Sequence, residues 1–157
     1  MIKVGDNIPS ATITLINKAG QENVESNDYF AGKKVVLFAL PGAFTPTCSE
    51  AHLPGYVVKY DDIIAKGVDT VACLSVNDAF VMKSWQGTQN AENLDMIADG
   101  GAALTKAMDL VLDTGDFGGI RSQRYSMIVD NGVVTHFNAE NGSGYEVSDA
   151  ETILKQL

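Results

Sequence analysis

The chain has 157 residues, 45% of them hydrophobic and 20% charged, with a formal net charge of −9. That length suits one domain whose core needs no metal or disulfide staple, and the acidic balance argues against nucleic acid or an anionic membrane as a partner. Two cysteines, Cys48 and Cys73, are too few for a secreted disulfide scaffold, so each is either core or chemistry.

No stretch approaches the roughly 20 apolar residues needed to span a bilayer. Met1-Ile2-Lys3-Val4-Gly5-Asp6 lacks the apolar run of a secretory signal, so a cytoplasmic location is expected, or an organelle if a transit peptide was removed. Thr12–Ile16 alternates as a half-buried strand, and Asn17-Lys18-Ala19-Gly20 reads as the turn into a second one. Asn27–Phe30 opens a short helix that Gly32 ends. Val35–Leu40 is fully apolar and rich in β-branched residues, as a buried strand should be. It feeds a helix containing Cys48, expected to break at Pro54-Gly55 and resume from Tyr60 to Ala65.

Thr70–Val76 is a second apolar run, closed by Asn77-Asp78, which should cap a helix ending near Trp85. Met96–Asp99 suggests a short strand, followed by a helix from Ala102 to Met108. Tyr125–Val129 and Val133–Phe137 flank Asp130-Asn131-Gly132, a strong hairpin signal because Asn-Gly readily takes positive φ. Ser148 and Glu151 have the S-x-x-E spacing of a capping box for a last helix to Leu157. Two βα units, a hairpin and a helix imply one α/β domain over residues 1–157, with parallel strands meeting an antiparallel edge and helices on both faces.

Residues 41–50 carry the chemistry. Thr45 is a good N-cap and Pro46 suits the first helical position, which puts Cys48 in the first turn. A thiol there faces unpaired backbone N–H groups and the positive end of the helix dipole, which favour the thiolate. A disulfide oxidoreductase needs C-x-x-C, and Thr45 stands where the first cysteine of that motif would be. A lone thiolate beside a hydroxyl suits attack on a small electrophile instead. Ionisation alone is a small gain: a thiol of pKa about 8.5 is already ~3% thiolate at pH 7, so full ionisation gives at most about 30-fold. Fast attack on an electrophile also needs a cation and donors aimed at the leaving group.

The run PGAFTPTCSEAHLPG, then ACLSVNDAFVMKSW and RSQRYSMIVDNGVV, resembles in order and spacing the type II (atypical, peroxiredoxin-5-like) peroxiredoxins over essentially the whole chain. The resemblance implies a thioredoxin-like fold, a dimer, and reduction of hydrogen peroxide and alkyl hydroperoxides by Cys48 without a cofactor. It matches Thr45 to the hydroxyl that positions the peroxide and Arg124 to the arginine that contacts thiolate and peroxide, with Arg121 the competing candidate. Pro41 matches the shielding proline, Thr47 the variable place before the cysteine, and Phe117 an apolar wall at the site's mouth.

His52, four residues after Cys48, shares its helix face and could pair with it, though a structural hydrogen bond is the preferred reading. Cys48, Cys73, His52 and His136 lack the paired spacing of a zinc site, and Gly115–Gly119 is no phosphate loop.

Sulfenic acid on Cys48 has to meet a second thiol before further oxidation. Where one branch of the family carries a resolving cysteine near the C-terminus, this chain has Val147 and its neighbours. Cys73 matches a resolving position of some plant-type members, yet it lies in the strand-like run Val71–Val76. Glutathione or glutaredoxin is therefore the expected reductant, and a Cys48–Cys73 bridge recycled by thioredoxin the alternative. A redox sensor or chaperone-like protein and a thiol-transferase are the readings from other classes.

Overall fold

In the computed structural model, which describes residues 1–157, strand β3 (Lys34–Ala39) is the centre of the fold. Its side chains alternate between two cores: Val36 and Phe38 join one cluster and Val35, Leu37 and Ala39 the other, all fully buried. A strand apolar on both faces needs helices on both, and the chain supplies them.

The elements run β1 (Thr12–Asn17), β2 (Gly20–Glu25), α1 (Ser26–Phe30), β3, α2 (Leu53–Ala65), β4 (Thr70–Ser75), α3 (Ala79–Thr88) and β5 (Asp95–Ala98). Then follow α4 (Ala103–Ala107), β6 (Val111–Asp113), β7 (Ile120–Ser122), β8 (Tyr125–Asp130), β9 (Val133–Ala139) and α5 (Ala150–Gln156). One seven-stranded sheet has the order β2-β1-β5-β4-β3-β8-β9. Strands β3, β4 and β5 are parallel; β1 pairs antiparallel with β5, and β8 with β3. Residues of α2, α3 and α5 pack on the Phe38 face, and those of α1 and α4 on the Leu37 face. This is the thioredoxin-like arrangement, a mixed sheet with helices on both faces.

The β8–β9 hairpin turns through Asn131 (φ 49°) and Gly132 (φ 80°), the paired positive φ values of a type I′ turn, as the sequence predicts. Strand β2 is one edge of the sheet and is solvent-exposed along most of Gly-Gln-Glu-Asn-Val-Glu. The other edge, β9, is partly covered where Asn7 bridges to Val133.

Four local expectations are corrected. The helix does not break at Pro54-Gly55. The segment Cys48–His52 is a π-helical turn in which the Leu53 N–H donates to the Cys48 carbonyl, and α2 runs on unbroken through Pro54 to Ala65. The wider turn accommodates a proline that has no N–H to give and would crowd the carbonyl one α-turn back. The Ser148–Glu151 capping box does not form: Asp149 is the N-cap of α5 and makes no side-chain cap, while Ser148 Oγ donates to Glu140. Of Asn77-Asp78 only Asp78 caps α3, accepting from the Val81 N–H. Asn77 Oδ1 instead accepts from Ala43 N–H and Ser75 Oγ, which ties the Cys48 loop to the end of β4. Finally, β6 and β7, to which the sequence assigns no strand, form a separate two-stranded sheet on either side of Gly115–Gly119.

Candidate active site

The pairing of β3 with β8 sets the site. The two strands are antiparallel with Ala39 opposite Tyr125, so the residue before β8, Arg124, arrives where the chain leaves β3 for the Cys48 loop. Residues 41–45 then turn sharply. The approach at Gly42 is close: a Cβ there would lie 3.3 Å from Thr45 Cγ2 and 3.4 Å from Arg121 Nη1, so the threonine methyl would have to give slightly. Phe44 takes φ 64°, a conformation uncommon for a bulky residue and a local cost of about 1–3 kcal/mol. Helical backbone begins at Pro46, and the Thr45 carbonyl accepts from the Ser49 N–H. Thr45 is thus the N-cap in backbone terms alone. Its hydroxyl donates to the Gly42 carbonyl at 2.7 Å, which commits its proton and leaves lone pairs free to accept.

Cys48 is fully buried, and Arg124 Nη2 donates to its Sγ at 3.2 Å. The other arm of the fork, Nη1, meets His52 Nδ1 at 2.8 Å. His52 Nε2 lies 3.1 Å from the Ser148 carbonyl, which also accepts from Tyr56 Oη at 2.7 Å. A carbonyl accepts only, so Nε2 carries the ring proton and Nδ1 is left as acceptor for Arg124. Burial, reinforced by the Arg124 charge, pushes the His52 pKa down to about 3, which keeps the ring neutral in that role. His52 is therefore a hydrogen-bonded brace for Arg124. The ring is wedged among Phe38, Tyr56 and Tyr145, with centroids 5.0–5.7 Å away. Trp85 Nε1 donates to Ser49 Oγ at 3.0 Å and holds the Cys48 turn from the α3 side.

A cavity of about 560 Å³ opens beside this group, lined by Pro41, Thr47, Leu112, Gln123, Arg124, Glu140, Gly142 and Ser143. Of the residues singled out in the sequence, the structure gathers Pro41, Thr47 and Arg124 on this wall, with Cys48 bonded behind Arg124 and Thr45 in the same turn. It does not bring Phe117 to the cavity. Phe117 stands 92% exposed on the turn between β6 and β7, and the apolar wall is Leu112 instead. Arg121 binds the Gly118 and Val76 carbonyls, so it braces loops and leaves the sulfur to Arg124.

Cys73 lies in β4 opposite Phe38 and Met96, wholly buried. Burial, and secondarily the nearby Cys48 charge, push its thiol pKa well above the ordinary range. The sequence did not reveal the His52–Arg124 bond or the roles of Ser148 and Glu140, since their partners are far away in the chain. The four-residue spacing of Cys48 and His52 was the one available signal for His52.

Chemically, the site offers a sulfur nucleophile, a guanidinium that can donate to it, a hydroxyl with free lone pairs and a chamber beside them. Comparison with known proteins gives the family. The family profile described as Redoxin matches residues 3–154. The chain is 46% identical to Peroxiredoxin-2D of Arabidopsis thaliana, covering 99% of this chain and 98% of that one. It is 45% identical to chloroplastic Peroxiredoxin-2E-2 of rice (Oryza sativa subsp. japonica), over 99% of this chain and 72% of that one. Among solved structures, reduced Prx3 of Vibrio vulnificus in complex with hydrogen peroxide superposes with a TM-score of 0.96 at 59% identity, covering 99% of both chains. The chain belongs to the Redoxin family and, within it, to the peroxiredoxins.

Proposed function

We propose that this peroxiredoxin reduces hydrogen peroxide and small alkyl hydroperoxides at Cys48 and is reset by glutathione with glutaredoxin. The observation that carries the reading is the Arg124 fork, with one arm on Cys48 Sγ at 3.2 Å and the other on neutral His52. In this mechanism the Cys48 thiolate attacks one peroxide oxygen as the O–O bond breaks. The sulfur becomes sulfenic acid, and the second oxygen leaves as water or alcohol after taking up a proton. Arg124 supplies donors and fixed positive charge where charge gathers on the parting oxygens, the condition for lowering the barrier. The Thr45 hydroxyl, its own proton engaged by Gly42, accepts from the peroxide O–H and fixes its orientation. Pro41 and Thr47 shape the entrance. The hydrogen peroxide bound by the Vibrio vulnificus relative supports that substrate for this chain.

The sulfenic acid then condenses with glutathione, releasing water, and glutaredoxin exchanges the mixed disulfide. Cys73 is disfavoured as the resolving thiol because it is encased in β4 with a raised pKa, and disulfide geometry tolerates little mismatch. The homodimer is the assembly that the family resemblance implies. No helix is long and apolar enough to cross a membrane. The cytoplasm, where glutathione is abundant, suits such a cycle; one relative is chloroplastic by name.

The test is steady-state peroxide turnover with glutathione and glutaredoxin, and separately with thioredoxin. Cys48→Ser should abolish turnover with both donors. Residual activity above about a tenth of wild type, where loss of a nucleophile removes several orders of magnitude, would assign the nucleophile elsewhere. Turnover with thioredoxin alone would refute the glutathione route.

A further inference from the structure

The cavity wall includes a carboxylate that the peroxide chemistry leaves unused. Glu140 is the first residue after β9, and its backbone N–H donates to the Arg124 carbonyl at 3.0 Å. Its side chain collects four donors. The N–H groups of Glu146, Val147 and Ser148 reach it at 2.8–2.9 Å, and Ser148 Oγ at 2.6 Å. Burial acts to raise the pKa of this carboxyl, but the bonds from Ser148, Glu146 and Val147 outweigh it and hold the group below its usual value. A carboxylate saturated by donors from one short segment is an anchor for that segment. What the segment delivers is the Ser148 carbonyl, seated between His52 Nε2 and Tyr56 Oη.

We infer that Glu140 is a positioning residue for the peroxide reaction: by folding residues 146–148 onto its carboxylate it presents the Ser148 carbonyl to His52, and so fixes the imidazole edge that braces Arg124 against Cys48. The inference rests on the proposed role of Arg124 at the reacting oxygens. The logic is one of tautomers. A ring with Nε2–H committed to Ser148 offers Nδ1 as an acceptor and holds one arm of the fork at 2.8 Å. A ring that loses that carbonyl can place its proton on Nδ1, or take a second proton, and either state turns the acceptor into a donor facing a guanidinium. Arg124 would then shift away from Sγ. Segment 140–148 thereby serves twice, since Glu140, Gly142 and Ser143 also line the cavity.

The groups that would set His52 protonation in a loosened site are those around it. They are Arg124 before β8, Tyr56 on α2, Tyr145 on the segment itself, Glu140 after β9, and Cys48 one turn earlier on its own helix. Arg124 disfavours the imidazolium and Glu140 favours it. Removing the carboxylate from its loop admits water to the ring, which then titrates nearer its ordinary value of about 6.5.

The experiment measures the second-order rate of Cys48 oxidation by hydrogen peroxide in wild type, Glu140→Ala and Ser148→Ala from about pH 8 to about pH 5.5, where a histidine ordinarily titrates. It also records the ¹⁵N spectrum of the His52 ring. Glu140→Ala should react about tenfold more slowly at neutral pH, since displacing a catalytic group by an ångström can cost about 10². Its deficit should widen as pH falls, and its ring should lose the pure Nε2–H signature that wild type keeps throughout. Ser148→Ala removes one bond to the carboxylate and leaves the carbonyl. It should show a smaller loss in the same direction, and it decides the matter if Glu140→Ala does not fold. Wild-type rates in the variants, or a loss constant across pH with the ring still Nε2–H, would overturn the inference. If wild type itself fails to react with peroxide, the peroxidase reading falls, while the ring spectra still decide what Glu140 does.

Discussion

Replacing Arg124 by methionine should move activity and stability in opposite directions. Arg124 is only 8% exposed, and no carboxylate lies within ion-pair distance of it; its partners are neutral His52 and the Cys48 sulfur. A guanidinium taken out of water is costly, and exchanging such a buried charge for an apolar side chain of similar volume typically stabilises by about 1–4 kcal/mol. Against this, the change leaves His52 Nδ1 unpaired, a cost of about 1–3 kcal/mol. The central values leave a net gain of about 0.5 kcal/mol, or about 1–2 °C in Tm for a chain of this size. Stability is best compared in a Cys48→Ser background by urea unfolding, which keeps a thiolate counter-charge out of the comparison. Peroxide reduction, measured by stopped flow with Cys48 intact, should fall about 10²–10³-fold for loss of a charge-stabilising donor. Arg124→Lys should fall less but clearly, because an ammonium keeps the charge and loses the fork. An Arg124→Met protein that keeps more than a tenth of the wild-type rate, or is destabilised by more than about 2 kcal/mol, would show that Arg124 is chiefly structural.

Two further outcomes follow from the same geometry. The folded-state pKa of His52 is depressed to about 3 from 6.5, so the unfolded chain binds the extra proton first. Stability is then full above about pH 6.5 and declines by about 1.4 kcal/mol per unit below it, reaching about 2 kcal/mol at pH 5. His52→Gln should lack this component, and equal pH slopes in urea unfolding of the two proteins would refute the assignment. Cys73→Ala should keep most of its turnover with glutathione and glutaredoxin, while intact mass after one equivalent of peroxide plus glutathione should show one adduct, on Cys48. A Cys48–Cys73 bridge that forms before glutathione adds would reverse that conclusion.

Much of this was legible along the chain where local chemistry decides structure. The apolar run through Val35–Leu40 had to be a strand buried on both faces, and Asn131-Gly132 had to turn. Thr45-Pro46 set the start of the helix that carries Cys48. What stayed hidden was decided by tertiary partners. Pro54 looked like a helix breaker because sequence carries no mark of the π-turn that relieves it. Ser148 and Glu151 have capping spacing, but Glu140 outcompetes the helix terminus for the Ser148 hydroxyl. Phe117 was placed at the site by resemblance, yet the chain between β6 and β7 directs it into solvent. The catalytic reading of Cys48, Thr45 and Arg124 needed only the motif; the brace behind Arg124 needed the fold.

The polar edge strand β2 has a consequence for how the protein behaves in concentrated solution. An open strand edge is a template for pairing with another chain, and charge is one of the devices that prevent it. Here Glu22 and Glu25 supply that charge, on a molecule of net charge −9 with an isoelectric point near 4.5. The long-range repulsion between molecules fades as the solution approaches that isoelectric point. Acidification toward the isoelectric point therefore threatens colloidal stability as well as folding at His52, and the two hazards have separate origins in the chain.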